Sequence, residues 1–202
     1  EDLLQQFIDR RADVLVGTQM VAKGLDLPLV TLVGMVSADV GLNLPDFRAG
    51  ERTFQLLTQV AGRAGRGLLG GRAILQTYQP EHYVIEAAAA QDYSQFFQRE
   101  IAYRRELGYP PFRRLARIVF QNGQETKARA EAERAADLIR RRAAALNLTG
   151  TEMIGPAPCF FARIDNVYRW HLLLRSPDPT LALEGIDIPA TWQVDIDPVG
   201  VL

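Results

Sequence analysis

Continuous apolar runs near the N-terminus have the pattern of buried parallel strands. They occupy residues 12–20 (ADVLVGTQM) and 29–39 (LVTLVGMVSAD), and a third short run occupies 71–79. Between the second and third runs, Phe54 and Leu57 recur at helical spacing within 52–62. Strands that alternate with helices predict an α/β layer with a parallel sheet.

The second half of the chain follows a different pattern. Residues 80–107 are helical in pattern, as two helices, and the segment LGYPPF with Pro110 and Pro111 ends them. We therefore predict a domain boundary there, with domains over 1–108 and 109–202. After it the pattern predicts a strand (114–120), a helix (125–146), two strands (151–163 and 168–175), a helix (178–186) and a strand (191–197). This βαββαβ order predicts a small ferredoxin-like α+β domain.

Composition narrows the class of protein. The net charge of −1 gives no global basic field, although residues 99–117 are rich in arginine. Cys159 is the single cysteine, so an internal disulfide and a multi-cysteine zinc site are excluded for this sequence, and no metal site is expected in it. No run of about 18 apolar residues predicts a membrane span. The acidic N-terminus differs from a signal peptide, and we expect a cytoplasmic protein without a membrane partner.

Two short segments carry candidate chemistry in the first domain. Gly17, Thr18 and Gln19 follow the first predicted strand, at the sheet edge where α/β proteins place ligands. The segment TQVAGRAGRG (58–67) places Arg63 and Arg66 three residues apart, each directly after a glycine. Glycine lets a polyphosphate approach the backbone, and arginine supplies bidentate charge. A solvated helix end would also tolerate this pattern.

These segments resemble a known family. GTQMVAKGLDLP followed by QVAGRAGR is similar to motifs V and VI of superfamily 2 helicases. The collinear series LPDFRAGERTFQLLTQVAGRAGR, LQTYQPEH, YPPF, IGPAP, YRWHLLL and DIDP resembles the primosomal replication-restart helicases, the PriA family. The series covers nearly all 202 residues. The resemblance implies that the first domain is the C-terminal part of a RecA-like helicase lobe 2.

The resemblance also implies roles for individual residues. By this resemblance the catalytic residues are Gln59, Arg63 and Arg66. Gln59 would couple nucleotide to DNA, and the two arginines would be arginine fingers. Its nucleotide-binding residues are Gly24, Asp26 and Gly62. Its DNA-binding residues in this domain are Gly17, Thr18, Gln19 and Lys23.

Other family features are missing from this sequence. It contains no G-x-x-x-x-G-K-[ST] motif for nucleotide phosphates and no D-E-x-H motif for magnesium. We therefore expect that only a full-length protein would use ATP with Mg²⁺ as cofactor. We expect zinc in a cysteine-rich module upstream. The chain reads as a C-terminal fragment that does not hydrolyse ATP by itself.

The predicted second domain interleaves aromatic residues with arginines in FARIDNVYRWHLLLR (161–175). Aromatic faces beside cations suit single-stranded nucleic acid, and we select Arg169 and Trp170 as DNA-binding residues. Side chains alternate between the two faces of a strand, so some of these aromatic residues would instead belong to the hydrophobic core. The resemblance implies binding of branched and single-stranded DNA, of the tail of single-stranded DNA-binding protein, and of other primosome proteins. His171 stands where the family has glutamine.

Two functions remain open from the sequence. The first is a portion of an ATP-dependent DNA helicase that binds branched DNA and reloads the replication machinery at stalled forks. The second is a DNA-binding primosome scaffold without helicase activity.

Overall fold

The computed structural model of the protein describes residues 2–18, 30–62 and 71–201. It divides into two compact units, one of Glu1–Leu44 with Arg48–Glu100 and one of Pro45–Phe47 with Ile101–Leu202. The sequence-derived boundary at residue 108 stays a prediction. Within the described ranges, no helix is long and apolar enough to cross a membrane.

The first unit combines a two-stranded parallel sheet with helices. Strands β1 (Leu32–Met35) and β2 (Arg72–Leu75) pair in parallel, as the sequence predicts. The helices are α1 (Asp2–Ile8), a 3₁₀ helix (Val40–Asn43), α2 (Ala49–Ala61), α3 (Tyr83–Ala90) and α4 (Tyr93–Leu107), whose last residues belong to the second unit. Two helices over 80–107 are therefore confirmed.

The predicted first strand is wrong over its described part. Residues 12–18 form no strand, and Val14 and Val16 are 74% and 88% exposed. A buried parallel strand needs hydrogen-bonded neighbours and cover on both faces. Among the described residues the sheet holds two four-residue strands, and neither pairs with this segment. An apolar run without a partner strand remains irregular.

The helical spacing in 52–62 does form the core of the first unit. Phe54 and Leu57 of α2 are buried against Val84 of α3 and Phe96 of α4. The rings of Phe54 and Phe96 stack with their centroids 4.2 Å apart. Burial of such side chains stabilises each by about 1.5–3 kcal/mol.

The second unit contains a four-stranded antiparallel sheet. Its elements are β3 (Arg114–Asn122), α5 (Glu125–Ala145), β4 (Glu152–Ile164), β5 (Val167–Ser176), α6 (Thr180–Leu183) and β6 (Trp192–Ile196). The strands lie in the order β4-β5-β3-β6, and each neighbouring pair is antiparallel. α6 is shorter than the predicted 178–186, because Glu184 is extended and Gly185 has a positive φ of 74°.

One face of this sheet is covered by α5. The helix presents buried alanines at helical spacing, and the sheet presents alternate apolar residues of β3 and β5. The buried helix residues are Ala128, Ala132, Ala135, Ala136 and Ile139. Small side chains let the helix approach the sheet closely. The opposite face of the sheet is not covered by α5.

Candidate nucleic-acid interface

The sheet face that points away from α5 carries a group of cationic and imidazole side chains. Successive side chains of a strand alternate between faces. Ile118 and Leu172 belong to the core beneath α5. Arg117 of β3, with Arg169 and His171 of β5, therefore lies on the other face. All three side chains are partly exposed. We call these three residues the basic cluster.

Strand register brings the cluster together. His171 is directly opposite Val119, while Arg117 is opposite Leu173. His171 therefore has one arginine two residues away on its own strand and one on the diagonal of the neighbouring strand. Diagonal neighbours across antiparallel strands lie about 7–8 Å apart at their Cα atoms, within reach of long side chains.

Several nitrogen atoms of the cluster have no hydrogen-bond partner among the described residues. They are Nε and Nη2 of Arg117, Nε of Arg169 and Nδ1 of His171, and all are buried. A buried donor without a partner costs about 1–3 kcal/mol. The exposed parts of Arg117 and Arg169 carry positive charge, which suits an anion with several oxygen atoms.

The electrostatics of His171 agree with this geometry. Burial lowers the pKa of its imidazole, and the neighbouring charges of Arg117 and Arg169 lower it further. The imidazole therefore stays neutral at pH values where an exposed histidine is already partly protonated. A bound anion opposes both arginine charges, so anion binding favours protonation of His171.

Most other arginines of the second unit have carboxylate partners. Arg113 and Arg175 both pair with Glu152, and Arg114 pairs with Asp178 and Asp197. On α5, the partners are one helical turn away: Arg129–Glu133, Arg134–Glu131 and Arg140–Asp137. The pairs on α5 lie within that helix, and the others join residues distant in sequence. Arg117 and Arg169 lack such a carboxylate in the described ranges.

The sequence-selected residues of the second unit fall on opposite faces of the sheet. Arg169 lies in the basic cluster. Trp170 packs against the core beneath α5, with the guanidinium of Arg129 at 5.8 Å from its ring centroid. Packing against the core explains why a tryptophan occupies this position. Contact of Trp170 with DNA stays a prediction.

Sequence reasoning missed Arg117 as a site residue. Its signal is present in the strand segment RLARIVF, where Arg117 stands between Ala116 and Ile118. Those two neighbours are fully buried in the core, so alternation places Arg117 on the other face. Its nearness to His171 depends on strand register, which alternation within one strand does not reveal.

The candidate residues of the first unit are partly described. Gly17 and Thr18 are exposed and lie outside regular secondary structure. Gln59 is exposed on α2, and Gly62 is the residue that ends this helix, with its amide donating to the carbonyl of Thr58 at 2.9 Å. The remaining candidates lie outside the described residues: Gln19, Lys23, Gly24, Asp26, Arg63 and Arg66. All these assignments stay predictions.

No group of three histidine, cysteine or acidic residues suited to a metal ion occurs within the part of the chain that the structure describes.

Known families match both parts of the chain. The model of the primosomal protein N C-terminal domain matches residues 105–199, and the model of the helicase conserved C-terminal domain matches residues 1–67. The match to the first model contains the whole basic cluster. The second contains Gln59, Arg63 and Arg66.

Curated relatives carry the same printed name, replication restart protein PriA. The protein from Bacillus subtilis is 46% identical over 89% of this chain and 22% of its own length. That from Treponema pallidum is 41% identical over 100% of this chain and 32% of its own length, and that from Synechocystis is 42% identical over 98% and 24%. The chain thus spans about a fifth to a third of the length of these relatives.

Proposed function

We propose that this chain, which belongs to the PriA family of replication restart proteins, binds DNA through its second unit and completes a helicase through its first. In the whole protein it would act as part of an ATP-dependent DNA helicase. That helicase would bind branched DNA in the cytoplasm and reload the replication machinery at stalled forks.

The observation that carries this proposal is the basic cluster. Its three side chains lie partly exposed on one face of a sheet, and its two arginines have no carboxylate partner within the described ranges. Phosphate oxygens of DNA satisfy donors of this kind, and contacts to phosphate hold a protein on DNA without reading its sequence. A replication restart protein that acts at forks of any sequence needs such contacts.

For the first unit we propose the roles that the helicase resemblance implies. Arg63 and Arg66 would reach the γ-phosphate of ATP with Mg²⁺, and Gln59 would couple the nucleotide to DNA. The match to the helicase model over residues 1–67 supports this. The sequence lacks a P-loop, so this chain alone would not hydrolyse ATP. Zinc would belong to a module upstream.

We also propose finer fold classes for both units. The parallel pair β1–β2 with α2 supports a RecA-like lobe for the first unit. The element order of the second unit and its strand order β4-β5-β3-β6 support a ferredoxin-like class.

Protein partners are proposed from the family resemblance. We propose the tail of single-stranded DNA-binding protein as a partner, as the family resemblance implies. Other primosome proteins would bind elsewhere on the chain.

Fluorescence anisotropy with labelled forked, single-stranded and blunt duplex DNA across a salt series tests DNA binding by this chain. The variant Arg117→Gln/Arg169→Gln removes two phosphate contacts. The slope of the logarithm of the binding constant against the logarithm of the salt concentration therefore becomes less steep by roughly 1.4–1.8. The matched control is Arg129→Gln/Arg140→Gln, which removes the same charge from carboxylate-paired positions on α5. Equal slopes for the two double variants would contradict a phosphate site at the basic cluster.

A further inference from the structure

The hairpin formed by β4 and β5 ends in an exposed tip. Asp165 and Asn166 form its two-residue turn, with φ of 49° and 64°. Two consecutive residues with positive φ are the geometry of a type I′ turn, which favours asparagine and aspartate. Every residue from Phe160 to Asn166 is exposed. We call residues 160–168 the hairpin tip.

The register of the hairpin changes just before the tip. Pro158 of β4 is opposite Trp170 of β5, whereas Arg163 is opposite Tyr168. The chain therefore advances five residues along β4 against two along β5. The extra residues form a bulge, and bulges re-aim side chains relative to a regular strand.

The bulge brings two phenylalanine rings together. Adjacent residues of a regular strand point to opposite faces. Here the rings of Phe160 and Phe161 are in edge-to-face contact, with centroids 5.0 Å apart and planes at 79°. The residues remain 51% and 57% exposed, although the preceding Cys159 is buried. Two large apolar side chains are thus held together in solvent at the end of a protruding hairpin.

Two arginines lie close to this aromatic pair in the hairpin: Arg163 within the tip and Arg169 just after it. The guanidinium of Arg163 lies 5.0 Å from the ring centroid of Tyr168 and donates to Oδ1 of Asn166 at 2.8 Å. Arg169 of the basic cluster follows Tyr168 directly on β5. The one acidic residue of the tip, Asp165, occupies the turn, where its residue type suits the backbone conformation.

We propose that Phe160 and Phe161 stack on unpaired bases of single-stranded DNA whose phosphates contact the second unit. This inference rests on the proposed DNA-binding function and adds the residues that would contact the bases. Every base has a π face, so aromatic stacking binds single strands without regard to sequence. Fully paired duplex offers such faces at its ends alone. The flanking arginines favour a polyanion over an apolar protein partner as the occupant.

The test compares substitutions that separate ring stacking from apolar bulk. Phe160→Leu/Phe161→Leu keeps the exposed apolar volume and removes the π faces. We expect this variant to bind a labelled oligothymidine at least about tenfold more weakly. Its salt slope stays unchanged, because the phosphate contacts remain. Its affinity for blunt duplex falls much less, because duplex offers π faces at its ends alone. Phe160→Trp/Phe161→Trp retains binding, and its tryptophan fluorescence is quenched by the oligonucleotide more than that of the unaltered chain.

Leu181→Ala serves as the matched control, since Leu181 is an exposed apolar residue of the same unit, on α6. If the leucine variant binds oligothymidine with the same affinity as the control, the stacking proposal is overturned. If the unaltered chain binds oligothymidine and Arg117→Gln/Arg169→Gln weakens it while the leucine variant does not, this inference alone fails. If the unaltered chain binds no DNA at all, the proposed function fails together with it.

Discussion

At the scale of single residues, the second unit separates structural arginines from available ones by their carboxylate partners. Arg175 lies on the same strand and face as His171, yet it donates to Glu152 and lies 5.0 Å from the ring centroid of Tyr109. No ion pair joins Arg117 or Arg169 to a carboxylate within the described ranges. The same residue type on one face thus fixes the fold at one end and offers charge at the other.

His171 gives a pH prediction for the stability of the second unit. Its folded pKa is lowered from 6.5, so the unfolded chain binds more protons between the folded pKa and 6.5. Stability is therefore fully present above about pH 6.5 and is lost as pH falls toward the folded pKa. We expect the urea midpoint to decrease between pH 7.5 and pH 5, and His171→Gln to reduce this decrease.

Tryptophan fluorescence is the measurement, because both tryptophans, Trp170 and Trp192, lie in the second unit. His82 provides the control, since its pKa is also lowered by burial but it belongs to the first unit. His82→Asn keeps a side chain that caps α3. A His171→Gln variant with the same pH dependence as the unaltered chain would refute the assignment.

At the scale of elements, the close packing of α5 on the sheet depends on alanine. Ala132 is fully buried, whereas Ala130, two residues earlier, is exposed. Ala132→Leu forces extra volume into a packed interface, and we expect it to lower the free energy of unfolding by about 1–3 kcal/mol. Ala130→Leu changes the same residue type on the exposed side. Urea unfolding of both variants checks this, and equal stabilities would show that the helix face is assigned wrongly.

The sequence predicted an element well where its own apolar pattern matches one face of that element. The strands β3, β5 and β6 place apolar residues in the core beneath α5, and this pattern predicted all three strands. Residues 12–18 have a strand-like composition without a described partner strand, and the prediction failed there. The bulge before the hairpin tip depends on register between β4 and β5, which composition does not encode.

At the scale of the whole molecule, the basic cluster shows why a site is harder to predict than a fold. Arg169 was selected from its own segment, since aromatic and cationic residues interleave there. Arg117 lies more than fifty residues away and joins the cluster only through antiparallel register. Trp170 was selected with Arg169, but adjacent residues of a strand occupy opposite faces. The helicase-type residues Arg63 and Arg66 lie outside the described residues and stay predictions.

We assign ATP chemistry to Arg63 and Arg66 in the first part of the chain and phosphate contacts to the basic cluster in the second, and this division of roles is the central claim. DNA-stimulated ATP hydrolysis, measured in a full-length protein that contains this sequence, tests it most directly. Arg66→Ala should lower turnover at saturating DNA by about 10³-fold or more and leave DNA affinity unchanged. Arg117→Gln/Arg169→Gln should leave maximal turnover unchanged and raise the DNA concentration needed for half of it. Near-normal turnover of Arg66→Ala, or loss of maximal turnover in the cluster variant, would contradict this division.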